Sequence, residues 1–406
     1  MLWLQSLVLP VLFSLVGGAA IERETAKNET EPEIEIYDAI IVGGGPAGLS
    51  ALSGLARVRR NVLLIDSGEY RNAPTRHMHD VLGFDGVTPA YYRWAARKQI
   101  SYYDTVSMTN GTVTSIKAEK NNTQFSVSAV LFGNKKTLTA RKIVLATGLR
   151  DILPTTPGIQ ANWGKGIYWC PWCDGHEHAD QPLGLLASLD SIPGLVREIL
   201  TLNKDIVAFV NGSDTPALRA TTEEKNPEWQ TYLELHNVTV ENRTISEIKR
   251  LRDGSDKSAD PSLPSVAEFD LFSVEFPTGP AVQRAAFLAS FPDEQRSKVG
   301  EELGVWLYGG RLAANMSNGL ITNIPGVYAV GDANSDNSTN VPHALFTGKR
   351  SAVSLHVALE RENALEELAE ADKHDEEKRD DLSERAIWDK MNSERGEILY
   401  AGEYEQ

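Results

Sequence analysis

Residues 36–48 read IYDAIIVGGGPAG, and this stretch decides the fold. The apolar run at 40–42 is typical of a buried strand, and it leads into a G-x-G-x-x-G turn and then a helical pattern at 49–57. A second apolar run, at 62–65, ends in Asp66. A strand, a glycine turn, a helix, a strand and an acidic residue about twenty positions on make up the dinucleotide-binding fingerprint. The sequence therefore predicts an α/β fold with a dinucleotide site at its start.

The three glycines of the turn have different expected roles. Gly43 allows the tight turn, Gly45 lets the backbone approach a pyrophosphate, and Gly48 lets the helix and strand pack closely. The helix N-terminus would face the phosphates with unpaired N–H groups. Asp66 is expected to accept a hydrogen bond from a ribose hydroxyl. The alternative is a glycine-rich turn without a ligand.

Two later segments favour FAD as the dinucleotide. Residues 142–148 read as a buried strand ending in Ala-Thr-Gly, and residues 327–333 as another ending in Gly-Asp-Ala. An aspartate at a strand end, here Asp332, can hydrogen-bond a ribityl hydroxyl. A helix predicted to start around Pro342 and His343 has N-terminal amides that can stabilise negative charge on a flavin ring.

Cys170 and Cys173 are the only cysteines of the chain. A C-x-x-C loop closes so few residues that a disulfide there removes little chain entropy, so redox chemistry is the favoured interpretation. The alternatives are an inert local disulfide or half of a metal site with His176 and His178. That histidine pair is H-x-H, which is tighter than the spacing of zinc fingers, so we expect no metal.

Five segments together resemble the thioredoxin-reductase-type flavoproteins. They are GGGPAG at 43–48, LLIDSGEYRN at 63–72, ATG at 146–148, WCPWCDG at 169–175 and VGDANSDNSTNVPHALFTGKRSA at 330–352. HMHDVLGFDG at 77–86 and NVPHALFTGKRSA at 340–352 look particularly like the fungal branch that includes gliotoxin oxidoreductase and related dithiol oxidases.

The resemblance implies two Rossmann-like, parallel-sheet dinucleotide-binding domains. The FAD domain would be discontinuous, at 36–150 and 303–365, and a degenerate NAD(P)-like domain at 151–302 would carry the C-x-x-C pair. An acidic extension would follow at 366–406, because residues 360–385 contain twelve Asp or Glu against five Lys or Arg. A homodimer is also implied.

The resemblance also implies the roles of individual residues. Cys173 would lie against the flavin, Cys170 would exchange with the substrate, and Asp174 would be the acid/base carboxylate. His176 and His343 are further candidate bases for the thiols, although each can equally be a structural histidine. The residues expected to contact FAD are Gly43, Gly45, Pro46, Ala47, Gly48, Asp66, Arg71, Asn72, His77, Val113, Ala146, Thr147, Gly148, Gly331, Asp332 and Val341.

The second nucleotide site departs from the family pattern. A strand at 183–187 and a helix from about 193 to 202 keep the βαβ shape, but residues 188–190 (Ser-Leu-Asp) replace the glycine triplet. After the next strand, at 205–210, Asp214 stands where a reductase needs a basic cluster for the 2′-phosphate. NADPH binding is therefore doubtful, although a degenerate site can still bind it weakly.

The N-terminus predicts a secretory route. Residues 1–20 have an apolar core and end in small residues, which favours a cleaved signal over an uncleaved anchor, with Ile21 as the first mature residue. We see no second stretch that could span a membrane. A secreted, N-glycosylated protein is expected, and its sequons lie at Asn28, Asn110, Asn121, Asn211, Asn237, Asn242, Asn315 and Asn337.

Composition and motifs lead to three functional hypotheses. A formal net charge of −16 argues against nucleic acid or an anionic membrane surface as a partner. The favoured hypothesis is an FAD-dependent oxidase that converts a small-molecule or peptide dithiol to a disulfide with O2, giving H2O2; the resemblance suggests fungal secondary metabolism. The second is an NADPH-dependent disulfide reductase, and the third is a non-catalytic flavin-bound protein.

Overall fold

The computed structural model describes residues 36–256, 258–265 and 267–374. The predicted signal peptide, the sequon at Asn28 and the acidic extension beyond residue 374 lie outside these residues. None of the helices in the described ranges is both long and apolar enough to cross a membrane.

The described residues include eighteen strands and nine α-helices. The strands are β1 (Ile36–Val42), β2 (Val62–Asp66), β3 (Val106–Glu119), β4 (Gln124–Leu131), β5 (Asn134–Leu145), β6 (Leu149–Asp151), β7 (Ile167–Tyr168), β8 (Leu183–Leu186), β9 (Ile206–Phe209), β10 (Thr239–Glu241), β11 (Glu247–Arg252), β12 (Leu271–Glu275), β13 (Val282–Arg284), β14 (Ala286–Ala289), β15 (Asp293–Gln295), β16 (Leu307–Tyr308), β17 (Arg311–Leu312) and β18 (Val327–Ala329). The α-helices are α1 (Pro46–Ala56), α2 (Pro89–Ile100), α3 (Ile159–Asn162), α4 (Pro171–Asp174), α5 (Ile192–Ile199), α6 (Pro216–Lys225), α7 (Trp229–Leu235), α8 (Val299–Glu302) and α9 (Val341–His374).

The first sheet joins segments from both ends of the described chain. Its parallel part runs β3-β2-β1-β5-β18, with Ile40 opposite both Leu63 and Ile143, and Ile143 opposite Val327. The outer half of β3 turns away and forms an antiparallel meander with β4 and β5. Its central strands are apolar runs buried on both faces, as a covered parallel sheet requires.

Helices α1 and α9 pack against each other beside this sheet, and glycines set their close approach. A Cβ at Gly348 would lie 2.2 Å from the Ala47 carbonyl oxygen, and one at Gly54 would lie 2.7 Å from the Ala352 Cβ. Leu52 and other buried leucines of both helices share one apolar core. Helix α9 also runs across the predicted limit between residues 365 and 366.

The second sheet is built entirely from residues between the two halves of the first. Its order is β10-β9-β8-β14-β7, and all its pairs are parallel. The chain passes between the sheets at β6 and β15, which pair antiparallel with Asp293 opposite Asp151. The predicted fold class, a parallel-sheet domain split by a second one, is confirmed, while the individual domain limits stay predictions.

Candidate functional site

A cavity of about 280 Å³ opens at the carboxyl ends of β1, β2, β5 and β18. This is the edge where ligands bind in open α/β sheets. Of the sixteen residues predicted to contact FAD, Gly48 alone is not part of the cavity wall; the others are Gly43, Gly45, Pro46, Ala47, Asp66, Arg71, Asn72, His77, Val113, Ala146, Thr147, Gly148, Gly331, Asp332 and Val341. Gly48 instead packs against the turn that follows β1, because a Cβ added there would lie 1.9 Å from the Gly43 carbonyl oxygen.

The glycine turn leaves room for a phosphate at one position. Gly43 has φ +111°, and a Cβ there would lie 2.3 Å from the Ala146 carbonyl oxygen, so this glycine serves the turn itself. A Cβ at Gly45 would meet no protein atom within 4 Å, and Gly45 lines the cavity at the start of α1. The buried Thr147 hydroxyl also lines the cavity and has no hydrogen-bond partner. These features fit a bound dinucleotide.

Asp66 lies among donors that sequence reasoning missed. It accepts hydrogen bonds from the Gly44 amide at 3.2 Å and the Tyr70 hydroxyl at 2.5 Å, and its carboxylate pairs with Arg97. Arg93, one turn before Arg97 on α2, places its guanidinium 3.8 Å from the Tyr70 ring centre. The i, i+4 spacing of Arg93 and Arg97 in the sequence indicates that both side chains lie on one face of a helix. The expected contact of Asp66 with a ribose stays a prediction.

Arg71 is the centre of an ion cluster that joins the cavity to both crossings between the sheets. Its guanidinium lies 2.6 Å from Asp151 on β6, 3.2 Å from Asp293 on β15 and 3.3 Å from Asp332 at the end of β18. Burial raises the pKa of Asp332, and the charge of Arg71 opposes that rise. Arg71 lines the cavity as predicted, but the structure engages its guanidinium with carboxylates of the chain itself.

The two cysteines form a disulfide whose members face different ways. Cys170 caps α4, and the two Cα atoms lie 5.2 Å apart. Cys173 lines the cavity, whereas Cys170 is not among its lining residues. Trp172, between them, is 70% exposed. Cys173 is therefore the cysteine of the pair that lines the cavity.

Asp174 follows the disulfide and lines the same cavity. Burial, followed by the charges of Glu268 and Glu177, raises the pKa of Asp174 well above its ordinary value, and Arg76 opposes the shift. A carboxyl group in such surroundings binds a proton more readily than a solvated one. Asp174 is thus suited to exchange a proton with a nearby thiol.

The structure does not bring His176 or His343 to the cavity wall. His176 is exposed, and His343 places its Nε2 2.8 Å from Asp336 Oδ2 at the start of α9. Two other histidines line the cavity, His77 and the unpredicted His79. Further lining residues that sequence reasoning did not select include Trp169, Arg296 and Ser297.

One buried cluster has the composition of a metal site. Ligand-type atoms of His178, Glu268 and Asp270 lie within 4.8 Å of one another. The guanidinium of Arg76, however, hydrogen-bonds both carboxylates. A cation of the chain already compensates this cluster, which argues against a metal ion there.

The crevice expected to hold NADPH contains ion pairs of the chain's own side chains. Asp190, in the turn between β8 and α5, lies 2.7 Å from Lys225. Asp214, beyond β9, pairs with Arg219. The Leu189 amide, which in a functional site would face a phosphate, donates instead to the Ser213 hydroxyl at 3.1 Å. Lys225 and Arg219 are thus each paired with a carboxylate of the chain, and no unpaired cation of these two pairs faces a phosphate.

The comparisons with known proteins agree with the expected resemblance. The profile of the family described as pyridine nucleotide-disulphide oxidoreductase matches residues 37–348. A probable thioredoxin reductase of Arthroderma benhamiae is 48% identical over 83% of this chain and 83% of its own. Thioredoxin reductase tcpT of Claviceps purpurea is 29% identical over 77% of this chain and 91% of its own. The crystal structure of HlmI superposes with a TM-score of 0.70 at 28% identity, covering 83% of this chain and 97% of that one.

Proposed function

The chain belongs to the pyridine nucleotide-disulphide oxidoreductase family, and on this premise we propose that it oxidises a dithiol to a disulfide with O2 as electron acceptor. It is a thioredoxin reductase-like, FAD-dependent oxidoreductase that acts on sulfur groups. The direction of the reaction, the acceptor and the secretory setting are the proposed part.

The observation that carries the proposal is the state of the second nucleotide crevice. An NADPH-dependent reductase needs donors for phosphates there, and this crevice presents Asp190 and Asp214 with their cations already paired. The FAD fingerprint and the disulfide, in contrast, meet at one cavity. Electrons that do not enter from NADPH have to enter from a thiol substrate.

The exchange step balances with residues of this chain. Asp174 takes the proton of one substrate thiol, and the resulting thiolate attacks Cys170 Sγ. The disulfide breaks, and Cys173 leaves as a thiolate that faces the cavity. The second substrate thiol then attacks the mixed disulfide and gives its proton to Cys170, so that two electrons reach the cysteine pair and the oxidised substrate leaves.

The cavity residues then hold the acceptor in place. FAD bound there would supply the two-electron acceptor for the reduced cysteine pair, and its reoxidation by O2 would yield H2O2. Gly45 would leave room for its pyrophosphate, and Asp332, which Arg71 holds at 3.3 Å, would hydrogen-bond its ribityl chain. Trp172, which stands between the two cysteines in the sequence, offers an exposed apolar surface that suits a small-molecule or peptide dithiol.

We also propose that the protein enters the secretory pathway and is N-glycosylated. The seven sequon asparagines in the described residues, from Asn110 to Asn337, are all exposed, which N-glycosylation requires. Expression in a eukaryotic host, followed by endoglycosidase digestion and N-terminal sequencing, tests this proposal. A mature chain that starts at Ile21 and loses mass on digestion is expected; an undigested chain that still starts at Met1 would contradict it.

A homodimer and a role in fungal secondary metabolism are proposed from family resemblance alone. Light scattering of the purified protein gives the oligomeric state, and a monomeric mass at micromolar concentration would contradict the dimer. Screening dithiol metabolites for disulfide formation tests the second point.

The decisive experiment for the reaction is anaerobic stopped-flow absorbance of the FAD-loaded protein. We expect dithiothreitol to bleach the flavin band, NADPH to leave it unchanged, and air to yield one H2O2 per dithiol oxidised. A Cys173→Ser variant is the control, because it retains the FAD site and should not be bleached by dithiol. Fast bleaching of the wild-type protein by NADPH would make it a reductase.

A further inference from the structure

A segment between β2 and α2 reaches across to the inserted segment, residues 152–292 between β6 and β15, which carries the disulfide. Residues 74–88, called the strap here, leave the first sheet after β2 and return to it at α2. The strap contacts the inserted segment near both of its own ends. A Cβ at Gly164 would lie 2.7 Å from the Thr75 amide nitrogen, and the Thr88 amide donates to the Pro261 carbonyl oxygen at 3.0 Å.

Arg76 makes the strongest of these contacts. Its guanidinium binds Asp270 with two parallel hydrogen bonds of 2.7 and 3.0 Å, also bonds Glu268, and reaches Asp253 at 2.8 Å. The side chains of Arg76, Glu268 and Asp270 are 11, 10 and 0% exposed. Burial disfavours the charge of Arg76, but Asp270 and Glu268 raise its pKa overall. A two-pronged, desolvated pair fixes geometry as well as charge.

Two histidines of the strap extend this contact toward the disulfide. His77 Nδ1 lies 3.5 Å from Glu268, and His79 Nε2 lies 3.4 Å from Glu177 and 3.1 Å from the Ser265 hydroxyl. The Glu268 amide in turn donates to the Glu177 carbonyl oxygen at 2.9 Å. Glu177 stands three residues after Asp174. A continuous set of polar contacts therefore connects Arg76 to the turn that follows the redox helix α4.

The strap also forms part of the cavity that Cys173 faces. Thr75, His77, Met78, His79 and Asp80 all line it. The strap thus lines the cofactor cavity and also contacts the inserted segment, which carries the disulfide. A shift of the strap relative to the inserted segment would change the position of Cys173 in the cavity.

We propose that Arg76 is a positioning residue, which fixes the unit carrying the disulfide to the strap so that Cys173 stays in the cofactor cavity throughout the reaction. The inference rests on the proposed dithiol oxidation. It gives the ion cluster of Arg76, Glu268 and Asp270 a role beyond stability. Because the cluster joins the strap to residues about 190 positions further along the chain, it acts between the strap and the inserted segment and not within either of them.

The test compares Arg76→Ala and Arg76→Lys with a matched control, Arg250→Ala. Arg250 binds the same Asp270, but its other polar partners, Asn162, Asp253 and the Lys165 carbonyl oxygen, all lie in the inserted segment. The FAD-loaded variants are measured for flavin bleaching by dithiothreitol under anaerobic conditions. After reduction, the rate at which iodoacetamide alkylates Cys173 is followed by mass spectrometry, which does not depend on turnover.

We expect Arg76→Ala to retain FAD. Dithiothreitol should bleach its flavin about 100-fold more slowly than in the wild type, because a displacement of the reacting groups by about 1 Å lowers a rate by about that factor. Its Cys173 should be alkylated faster than in the wild type. Arg76→Lys should lie between the two, and Arg250→Ala should behave like the wild type in both assays. If Arg76→Ala does not fold, the lysine variant decides the question by the same two readouts.

Two outcomes would overturn the inference. Equal bleaching and alkylation rates in the Arg76 and Arg250 variants would make the cluster a structural ion pair only. Slow bleaching of the flavin in Arg76→Ala with an unchanged rate of Cys173 alkylation would show that Cys173 had not moved. Failure of the proposed oxidation is distinguishable, because it appears in the wild-type protein as bleaching by NADPH and leaves the alkylation comparison valid.

Discussion

Replacing Gly45 by alanine separates the dinucleotide site from the fold. Gly45 has φ −73° and ψ −177°, which any L-residue adopts, and its Cβ would meet no protein atom within 4 Å. The weaker helix cap costs about 0.5 to 1 kcal/mol, and the reduced freedom of the unfolded chain offsets about 0.4 to 1 kcal/mol. We therefore expect the stability of the cofactor-free protein to change by less than about 1 kcal/mol.

The same methyl group should weaken FAD binding. It projects into the cavity where the pyrophosphate would approach α1, and an extra methyl at a close contact costs about 1 to 3 kcal/mol. That cost corresponds to a Kd for FAD that is about 5 to 150 times higher. The assay combines thermal unfolding of the cofactor-free variant with a fluorescence titration of FAD.

Gly43→Ala is the matched control, because its Cβ would lie 2.3 Å from the Ala146 carbonyl oxygen at a backbone φ of +111°. This variant should lose stability whether or not FAD is present. The reasoning is refuted if Gly45→Ala binds FAD with the wild-type Kd, since the phosphate would then not approach that backbone. A large loss of stability in the cofactor-free Gly45→Ala protein would contradict it as well.

Three further predictions concern the redox side of the cavity. Asp174→Asn should slow dithiol oxidation by about 10²- to 10⁴-fold. Because the pKa of Asp174 is raised in the folded state, the free energy of unfolding of the wild type should fall as the pH rises above about 4. Urea unfolding at a series of pH values should show that the variant lacks this part of the decline. Arg71→Met leaves Asp151 and Asp332 without their ion-pair partner, whereas Asp293 keeps Arg311 at 3.0 Å, and should cost about 3 to 5 kcal/mol in urea unfolding; a loss below about 1 kcal/mol would contradict the role of this cluster. Trp172→Ala should leave stability within about 0.5 kcal/mol, because the ring is 70% exposed, and should raise KM for apolar dithiols; an unchanged KM would remove Trp172 from the substrate surface.

Local patterns were sufficient to predict the dinucleotide fingerprint. Residues 40–42 and 62–65 are apolar strands, and Gly43 to Gly48 form the turn, because strand periodicity and glycine backbone freedom act over a few residues. The discontinuous first domain followed from family resemblance and is present as β18 paired with β5. His176 is a candidate base because it follows the C-x-x-C pair in the sequence, and His343 because it lies at a predicted helix start. Position along the chain does not determine where a side chain points, and neither histidine lines the cavity.

The remaining contacts depend on how distant segments meet. The sequence by itself determined which residues form the glycine turn, the C-x-x-C pair and the altered second crevice, since each is a short contiguous pattern. The folded structure alone revealed that Arg71 joins Asp151, Asp293 and Asp332, and that Arg76 binds Glu268 and Asp270. Pairings between residues 80 to 260 positions apart follow from the packing of two sheets, and a buried charge selects its partner by the geometry that packing leaves.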